Sequence, residues 1–420
     1  MHAHLFMSLC IYQLNQPEKN KLVGGSTALQ PLEGYKILEM GTFGPATLAA
    51  GLLADLGMEV IRIEPPAHPS RSVSSSKDKD VDGDGIPAPP GGVPWQRNKQ
   101  SIVLNLKMPE AKEIFYRLAR EADVVIEANR PGVLKRLEVD YETTRKYNPK
   151  IIYCSVTGFG QTGPYRNKPG HDACWQGVGG MLSLTGISLG NFGNRRSGPP
   201  AVPTRLITHH TTPYYCALAI LTALWAREFT QVGQHIDISN CDAVVGVPNN
   251  PNRMFFDGKS PAWNIYETRD EKYIAIGVRR SEEWEKLCRL LKREEYIPNW
   301  GANEVGQAEI LKDFSEIFKS KTRGEWWHLF TKYRIAGAPV YSLDEVGEDP
   351  QVKAREMLLE FGLPGGKKVI QCGIPIKFSS TPGQVKFLAQ SYGQNGESIL
   401  KGLGYSEGQI GVLRASGAVQ

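Results

Sequence analysis

The chain has 420 residues, of which 41% are hydrophobic and 22% charged, and its formal net charge is only +5. This composition is typical of a water-soluble globular protein, and the length predicts two domains. The small net charge and the lack of an apolar run of about 18 residues argue against nucleic-acid and membrane partners, although an anionic small substrate would fit.

The first segments predict an extension followed by one strand–helix–strand unit. Residues 1–30 have neither a basic start nor a clear cleavage site, so we expect a disordered extension rather than a signal peptide. The run Tyr35–Glu39 predicts a strand, "GTFGPATLAAGLLADLG" predicts a loop and a helix that ends at Gly57, and "MEVIRIEPP" predicts a second strand. Such a unit begins a doubly wound α/β sheet.

The pattern then changes twice along the chain. Residues 67–94 are polar and rich in Ser, Asp, Pro and Gly, which predicts a surface loop. Strands and helices alternate up to about residue 240, with a long helix expected from about Thr212 to Arg227. After about residue 250, "WNIYETRDEKYIAIGV" predicts two antiparallel strands around a turn, in a second region that runs to about residue 340.

Seven cysteines bear on the compartment and on metal binding. They include no C-x-x-C pair, and their number is odd. This usage indicates a reducing compartment and gives no zinc site of the usual spacing. We therefore expect a cytoplasmic protein without a bound metal.

The stretch "CSVTGFGQTGPYRNKPGHD" contains Gly158, Gly160 and Gly163 in the spacing G-x-G-x-x-G, directly after a predicted strand. A dinucleotide-binding turn would open a helix here and would have an acidic residue about 20 positions later. Two prolines follow Gly163 instead, and "GMLSLTGISLG" has no acid. The glycines are better explained by a close approach of the backbone to a ligand or a neighbouring chain.

Three histidines lie where this loop and a later one meet helices. His171 and Asp172 end the glycine loop, and His209 and His210 directly precede the predicted long helix. A histidine beside a carboxylate is a candidate acid/base, although the dipeptide by itself favours a structural histidine with a capping aspartate. The residues themselves leave both interpretations open.

Several strings together resemble the family III CoA-transferases, the group that also contains the α-methylacyl-CoA racemases. They include "LLADLGMEVIRIEPP", "NKQSIVLNLKMPE", "NPKIIYCSVTGFGQTGPYRNKPGHD" and "DPQVKARE", and the resemblance covers about residues 31–415. It implies a Rossmann-like large CoA-binding domain from both chain ends, residues 31–240 and 345–420, and a smaller central α+β domain, residues 250–344. It also implies a homodimer whose two chains are interlocked.

The resemblance further implies that CoA or an acyl-CoA is a substrate, with no prosthetic group. Three sets of positions match family residues near CoA. In the family, the turn after the first strand receives the adenosine and phosphates, the positions that match "LNLK" contact the nucleotide end, and two basic positions lie near the phosphates. In this chain the matching residues are Thr42, Phe43, Gly44, Leu104, Lys107, Arg130 and Arg136. Arg and Lys pair well with phosphate, which agrees with this assignment.

The catalytic positions match only in part. His171 matches the acid/base histidine of the racemases, and Asp172 matches a carboxylate that seats the pantetheine arm. The family's catalytic aspartate, which precedes the long helix, falls on His209, or on Thr208 or His210 if the match is shifted by one residue. No Asp or Glu lies between residues 200 and 226. The racemase carboxylate that supports its histidine is also replaced, at about Arg280.

Three functions remain open on these grounds. The first is CoA transfer between carboxylic acids, with His209 as an acyl-imidazole or Asp172 as the nucleophile. The second is epimerisation beside a thioester, with His171 and His209 as the acid/base pair. The third is a CoA-binding scaffold without catalysis. The first is favoured, because most of the family are transferases and "QGVGGMLSLTG" is transferase-like.

Overall fold

The computed structural model describes residues 29–41, 44–66, 93–185, 201, 203, 206–246, 260–301, 304–363, 366 and 368–420. The expected extension at 1–30 and the polar loop at 67–94 therefore lie almost wholly outside the described residues. Thr42 and Phe43, two of the expected CoA-binding residues, also lie outside them.

Six parallel strands form the main sheet, in the spatial order β3-β2-β1-β4-β5-β6. They are β1 Lys36–Met40, β2 Glu59–Glu64, β3 Lys99–Val103, β4 Val124–Glu127, β5 Ile152–Thr157 and β6 His235–Ser239. The helices of this part are α1 Pro45–Asp55, α2 Pro109–Glu121, α3 Val133–Arg136, α4 Tyr141–Thr144, α5 Asp172–Val178, α6 Ile207–Thr230 and α7 Asn240–Val245, with 3-10 turns at Pro94–Gln96 and Met181–Leu184. This is the doubly wound strand order, and the expected α/β class is confirmed.

Alternating side chains place one apolar core on each face of the sheet. Leu38 and Ile61 pack with α2 on one face, whereas Ile37 and Val60 pack with α1 and α6 on the other. Successive residues of a strand point to opposite faces, so a sheet covered on both sides needs strands that are apolar throughout. The runs from which the strands were predicted have this property.

A second, antiparallel sheet of three strands has its own core. Its strands are β7 Trp263–Glu267, β8 Tyr273–Gly277 and β9 Gly337–Val340, in the order β7-β8-β9, so the predicted antiparallel pair is present. The surrounding helices are α8 Ser281–Leu291, α9 Glu304–Phe318 and α10 Arg323–Tyr333, with a 3-10 turn at Glu294–Asn299. Trp284, Phe314 and Phe330 are buried between the sheet and these helices.

The last two helices of the chain pack on the main sheet, and shorter segments precede them. In chain order, these segments and helices are α11 Leu343–Val346, α12 Pro350–Ala354, the hairpin of β10 Leu358–Gly362 and β11 Lys368–Cys372, α13 Gly396–Gly402 and α14 Glu407–Ser416. Leu400 and Leu413 pack into the same core as Leu38, and Asn105 N–H donates to Ala418 O at 2.9 Å. The domain boundaries given above remain a prediction, which these contacts support.

The long helix differs from its prediction. It runs from Ile207 to Thr230 and includes Pro213, whereas the sequence places its start near Thr212. The reason is a contact from outside the helix: the carboxylate of Asp172 accepts a hydrogen bond from Thr208 N–H at 2.8 Å. An acceptor 36 residues away thus satisfies an N–H of the first turn, which local sequence cannot reveal.

Within the described part of the chain, no helix combines the length and apolar character needed to cross a membrane. The same residues contain no group of three or more His, Cys, Asp or Glu side chains arranged to hold a metal ion.

Candidate active site

A cavity of about 860 Å³ lies at the carboxyl ends of four parallel strands. Residues that follow each of these strands line it: Gly44 after β1, Asn129 after β4, Gly158 after β5 and Asn240 after β6. The strand order reverses between β1 and β4, so the connections there leave the sheet in opposite directions and open a crevice. The topology of the sheet therefore determines where the site is.

Asp172 joins two helices at the wall of this cavity. It is the first residue of α5, only 6% exposed, and its Oδ1 accepts hydrogen bonds from the N–H and the hydroxyl of Thr208. Its Oδ2 accepts from the amide of Gln176, one turn along α5. A buried carboxylate with three donors fastens the start of α5 to the start of α6, and thereby fixes the residues beside it.

His171 and His209 lie on either side of this junction, and both line the cavity. His171 is the exposed cap residue of α5, and its carbonyl accepts from Cys174 N–H at 2.8 Å. His209 is half-buried in the first turn of α6. Of the three positions compatible with the sequence match, only His209 lines the cavity, because Thr208 points to Asp172 and His210 is exposed elsewhere.

Cationic side chains line the same cavity. Arg130 and Arg136, which the sequence identifies, follow β4, and Arg136 ends α3. Arg166 and Lys168 join them from the glycine loop, and all four are exposed. Four positive charges around one opening attract a polyanion such as a chain of phosphates.

A buried carboxylate supports the turn that carries Arg130. Glu127, the last residue of β4, is 4% exposed and accepts from Asn129 N–H at 2.6 Å. Burial raises the pKa of Glu127, while hydrogen bonds from Ser155 and Asn129 oppose that shift. The bond to Asn129 fixes the backbone at the point where the chain leaves the sheet towards Arg130.

The other expected CoA-binding residues divide into two groups. Gly44 lines the cavity with a φ of +102°, a conformation that favours glycine. Leu104 and Lys107 follow β3 at the edge of the sheet and are not among the described residues that line the cavity. Leu104 is buried in the core beside Val419, and Lys107 is exposed. Their proposed contact with the nucleotide end of CoA stays a prediction.

The comparisons with known proteins agree on one family. The family model "CoA-transferase family III" matches residues 32–396. This chain belongs to CoA-transferase family III. Formyl-CoA:oxalate CoA-transferases from Escherichia coli O81 (strain ED1a) and O6:H1 (strain CFT073) are each 28% identical over 429 residues, covering 93% of this chain and 99% of theirs.

Solved structures give the same result. A CaiB/BaiF family protein from Brucella suis has a TM-score of 0.74 and 28% identity, covering 89% of this chain and all of that one. A mutant of Rv3272 from Mycobacterium tuberculosis has a TM-score of 0.73 and 26% identity, covering 89% of this chain and 99% of that one. The expected family is confirmed.

The sequence match predicts the catalytic aspartate position of this family III CoA-transferase at His209, and that placement stays a prediction. His209 lines the cavity, and the described first turn of α6 contains no carboxylate. Asp172 is the carboxylate among the described residues that line the cavity, and its oxygens accept three hydrogen bonds. The cavity therefore contains two candidate acyl acceptors, the imidazole of His209 and the carboxylate of Asp172.

Sequence reasoning missed most of the residues that line the cavity of this CoA-transferase. They include Arg166, Lys168 and three uncharged residues, Thr157, Trp175 and Asn240. Arg166 and Lys168 stand in the string "PYRNKPGHD", where two cations so close to His171 were an available signal. The other three carry no charge and follow no motif, so only the fold reveals that they lie together.

The glycine motif also has its explanation in the structure. No helix begins at Gly163, and the next helix, α5, begins only at Asp172. This agrees with the prediction that the glycine motif is not a dinucleotide-binding turn. A β-carbon at Gly158 would lie 2.4 Å from Nε1 of Trp175. Gly158 is therefore needed because the indole ring of α5 packs directly onto the backbone after β5.

Proposed function

We propose that this protein transfers CoA from an acyl-CoA to a second carboxylic acid, and that the cavity holds the reacting groups. The observation that carries the proposal is the convergence of His209 and four cationic side chains on one cavity at the switch point of the sheet. The E. coli relatives, named formyl-CoA:oxalate CoA-transferases, support transfer between acids.

The cationic residues are assigned to the phosphates of CoA. Arg130, Arg136, Arg166 and Lys168 would pair with the charged end of the nucleotide, and Gly44 leaves its backbone open to it. Thr42 and Phe43 lie outside the described residues, and their contact with adenosine, which the resemblance implies, stays a prediction. The thioester would then lie near His171 and His209, which line the same cavity.

Transfer through His209 requires three balanced steps. The imidazole attacks the thioester carbonyl, the C–S bond breaks, and CoA leaves as a thiolate while the acyl group is held on nitrogen. The carboxylate of the accepting acid attacks that acyl carbon, and the C–N bond breaks to give a mixed anhydride and free imidazole. The CoA thiolate then attacks the acceptor's carbonyl and expels the first acid as a carboxylate.

His171 and Asp172 have supporting roles in this proposal. Asp172 is a positioning residue, because its hydrogen bonds to Thr208 and Gln176 set the relation of α5 to α6. His171, which is exposed at the start of α5 and lines the cavity, would donate a hydrogen bond to the thioester oxygen as negative charge develops there. Neither role consumes or produces a proton overall.

Epimerisation beside a thioester is the second candidate function. It is favoured by one observation, namely that His171 and His209 come from different helices and line the same cavity. One imidazole would remove the α-proton, and the other would return a proton to the opposite face. This chemistry moves no acyl group and leaves CoA attached throughout.

Mass spectrometry after incubation with an acyl-CoA separates these functions. Transfer predicts an acyl adduct on the peptide that contains His209, and the exchange of CoA onto an added acid. His209→Ala should lose both while keeping its affinity for CoA, and His210→Ala, which changes the exposed neighbour, should keep both.

Other outcomes lead to other conclusions. Uptake of solvent deuterium at the α-carbon without CoA exchange identifies the epimerase. Tight CoA binding without either reaction, over several acyl-CoAs, identifies a non-catalytic scaffold. An active His209→Ala variant refutes the proposed nucleophile.

A homodimer, interlocked as the resemblance implies, is part of the proposal. Four large apolar side chains of α6 are each more than 60% exposed: Tyr214, Leu218, Trp225 and Phe229. Their spacing places them along one helix face, which a second copy would cover. Light scattering should give twice the 46.5 kDa of one chain, and Trp225→Glu should reduce that mass; a 46.5 kDa wild-type species refutes the dimer.

The compartment is proposed from the cysteines. The six that the structure describes are all free thiols, as expected of a protein in a reducing compartment. We therefore assign the protein to the cytoplasm.

A further inference from the structure

Asp237, on the edge strand β6, holds the glycine loop by a hydrogen bond. Both oxygens of its carboxylate accept from Gln161 N–H, at 2.9 and 3.1 Å. A β-carbon on Gly160 would lie 3.6 Å from the same carboxylate, which therefore packs against the backbone of Gly160 and Gln161. Asp237 is not among the described residues that line the cavity, and the proposed chemistry does not use it.

Gly160 gives the loop the turn at which this bond forms. Its φ is +87°, in the left-handed region that side chains rarely adopt. Because the backbone angles of a residue set the direction of the next peptide group, this turn directs Gln161 N–H to the carboxylate of Asp237. The second glycine of the G-x-G-x-x-G motif is therefore explained by an anchor on β6.

Contacts within the loop connect this anchor to a cation. The ring of Phe159, next to Gly160, packs edge-on against the ring of Tyr165, with 5.6 Å between the centroids. Lys168 N–H donates to Tyr165 O at 2.8 Å, and Lys168 Nζ lies 4.7 Å from the centre of the Tyr165 ring. The place of Lys168 beside the cavity therefore depends on where Phe159 and its neighbour Gly160 are held.

The other end of the loop has an anchor of its own. Asp172 accepts from Thr208 N–H at 2.8 Å, and His171 O accepts from Cys174 N–H at 2.8 Å. These bonds fasten the start of α5 without involving β6. The anchor on Asp237 therefore acts on the cationic part of the loop, whereas Asp172 acts on the part that carries His171.

We propose that Asp237 is a positioning residue for CoA: it holds the glycine loop so that Lys168 faces the phosphates. This inference rests on the proposed function, which assigns the cations of the cavity to those phosphates. The role requires a hydrogen-bond acceptor and not a charge, so an asparagine at this position can fill it. A purely electrostatic effect has the opposite sign, because removing a negative charge near the cavity favours a polyanion.

Isothermal titration with CoA, which requires no turnover, tests this role in the full chain. Asp237→Ala loses the acceptor and should weaken CoA binding about five- to tenfold. Asp237→Asn keeps an acceptor oxygen and should bind CoA within about twofold of the wild type. Gly160→Ala disturbs the same bond from the side of the loop, since alanine disfavours a φ of +87°, and should weaken binding as Asp237→Ala does.

A double-mutant cycle shows whether Asp237 acts through Lys168. Lys168→Met alone should weaken CoA binding about fivefold, but should add less than about twofold in the Asp237→Ala background, where the lysine is already displaced. Arg136→Met is the matched control, because Arg136 lines the same cavity from α3 and makes no contact with the glycine loop in the proposal. Its effect should be the same with and without Asp237→Ala.

The contrary results separate this inference from the proposed function. Unchanged CoA affinity in both Asp237→Ala and Gly160→Ala refutes the anchor, and tighter binding by both Asp237 variants shows that only the charge matters. Additive effects of Asp237→Ala and Lys168→Met refute the coupling. If Lys168→Met and Arg136→Met both bind CoA as the wild type does, the assignment of the cations to phosphates is wrong, and the inference falls with it. The expected binding pattern without any CoA transfer supports the anchor and refutes only the proposed reaction.

Discussion

Replacing Asp172 separates a structural from a chemical role for this carboxylate. Three donors point at it: the N–H and hydroxyl of Thr208 and the amide of Gln176. Asp172→Ala leaves all three buried and unpaired, at about 1–3 kcal/mol each, and partial relaxation brings the expected loss of unfolding free energy to about 3–5 kcal/mol. Displacement of α6 should lower turnover as well.

Asp172→Asn should behave very differently. Its remaining oxygen can still accept from Thr208, and its new N–H group can donate to Oε1 of Gln176 once that amide rotates. Oε1 has no partner among the described residues, so the number of satisfied hydrogen bonds is unchanged. We expect a loss of less than about 1 kcal/mol in stability and less than about tenfold in kcat.

Urea unfolding and steady-state transfer assays on both variants measure these quantities. If Asp172 is itself the acyl acceptor, Asp172→Asn will fold normally and lose about a thousandfold or more in kcat, and the positioning role is then refuted. If Asp172→Asn is as unstable as Asp172→Ala, the hydrogen-bond account of the junction is wrong.

Two further predictions concern the thiols and the acid stability of the protein. Cys174 is exposed and lines the cavity, so bound CoA should slow its alkylation by a maleimide. Cys372 is exposed outside the cavity and should react equally with and without CoA. Burial raises the pKa of Cys288 to about 12, so this thiol should not react in the folded protein. Peptide mapping by mass spectrometry checks this, and unprotected Cys174 contradicts the placement of CoA. Hydrogen bonds from Arg323 and Lys272 lower the pKa of Glu345 well below its ordinary 4.5, so this group stabilises the fold above about pH 4.5 and loses that contribution as the pH falls further. The melting temperature of Glu345→Gln should therefore fall less steeply than that of the wild type between pH 5 and 3, and parallel curves would contradict the prediction.

Local sequence predicted those parts of the fold that depend on neighbouring residues. The strand expected at Tyr35–Glu39 lies at Lys36–Met40, and the antiparallel pair around residues 268–272 is present. Apolar periodicity and turn residues act over a few positions, so they can be identified without the rest of the molecule. The start of α6 was missed because its hydrogen-bond acceptor is Asp172, a residue of another element.

The residues of the candidate site also divide into those that the sequence predicted and those that only the fold revealed. His171, Asp172, His209 and the two arginines after β4 were all predicted because they stand in or beside strings that resemble the family, and the affinity of cations for phosphate agreed with the match of the arginines. Leu104 matched equally well as a string, yet the fold places it in the core rather than in the cavity. Sequence similarity to a family motif does not show whether a residue at the end of a strand lies in the core or in the cavity.

The sequence alone determined the fold class, the family and the absence of Asp and Glu between residues 200 and 226. Only the tertiary structure decided that His209, rather than Thr208 or His210, lines the cavity, and that Trp175 and Cys241 both contact the backbone at Gly158. The first kind of information is carried by composition and by short ordered strings. The second depends on hydrogen bonds and packing between residues 17 to 83 positions apart in these cases, which exist only once the order of the strands in the sheet has brought their carboxyl ends together.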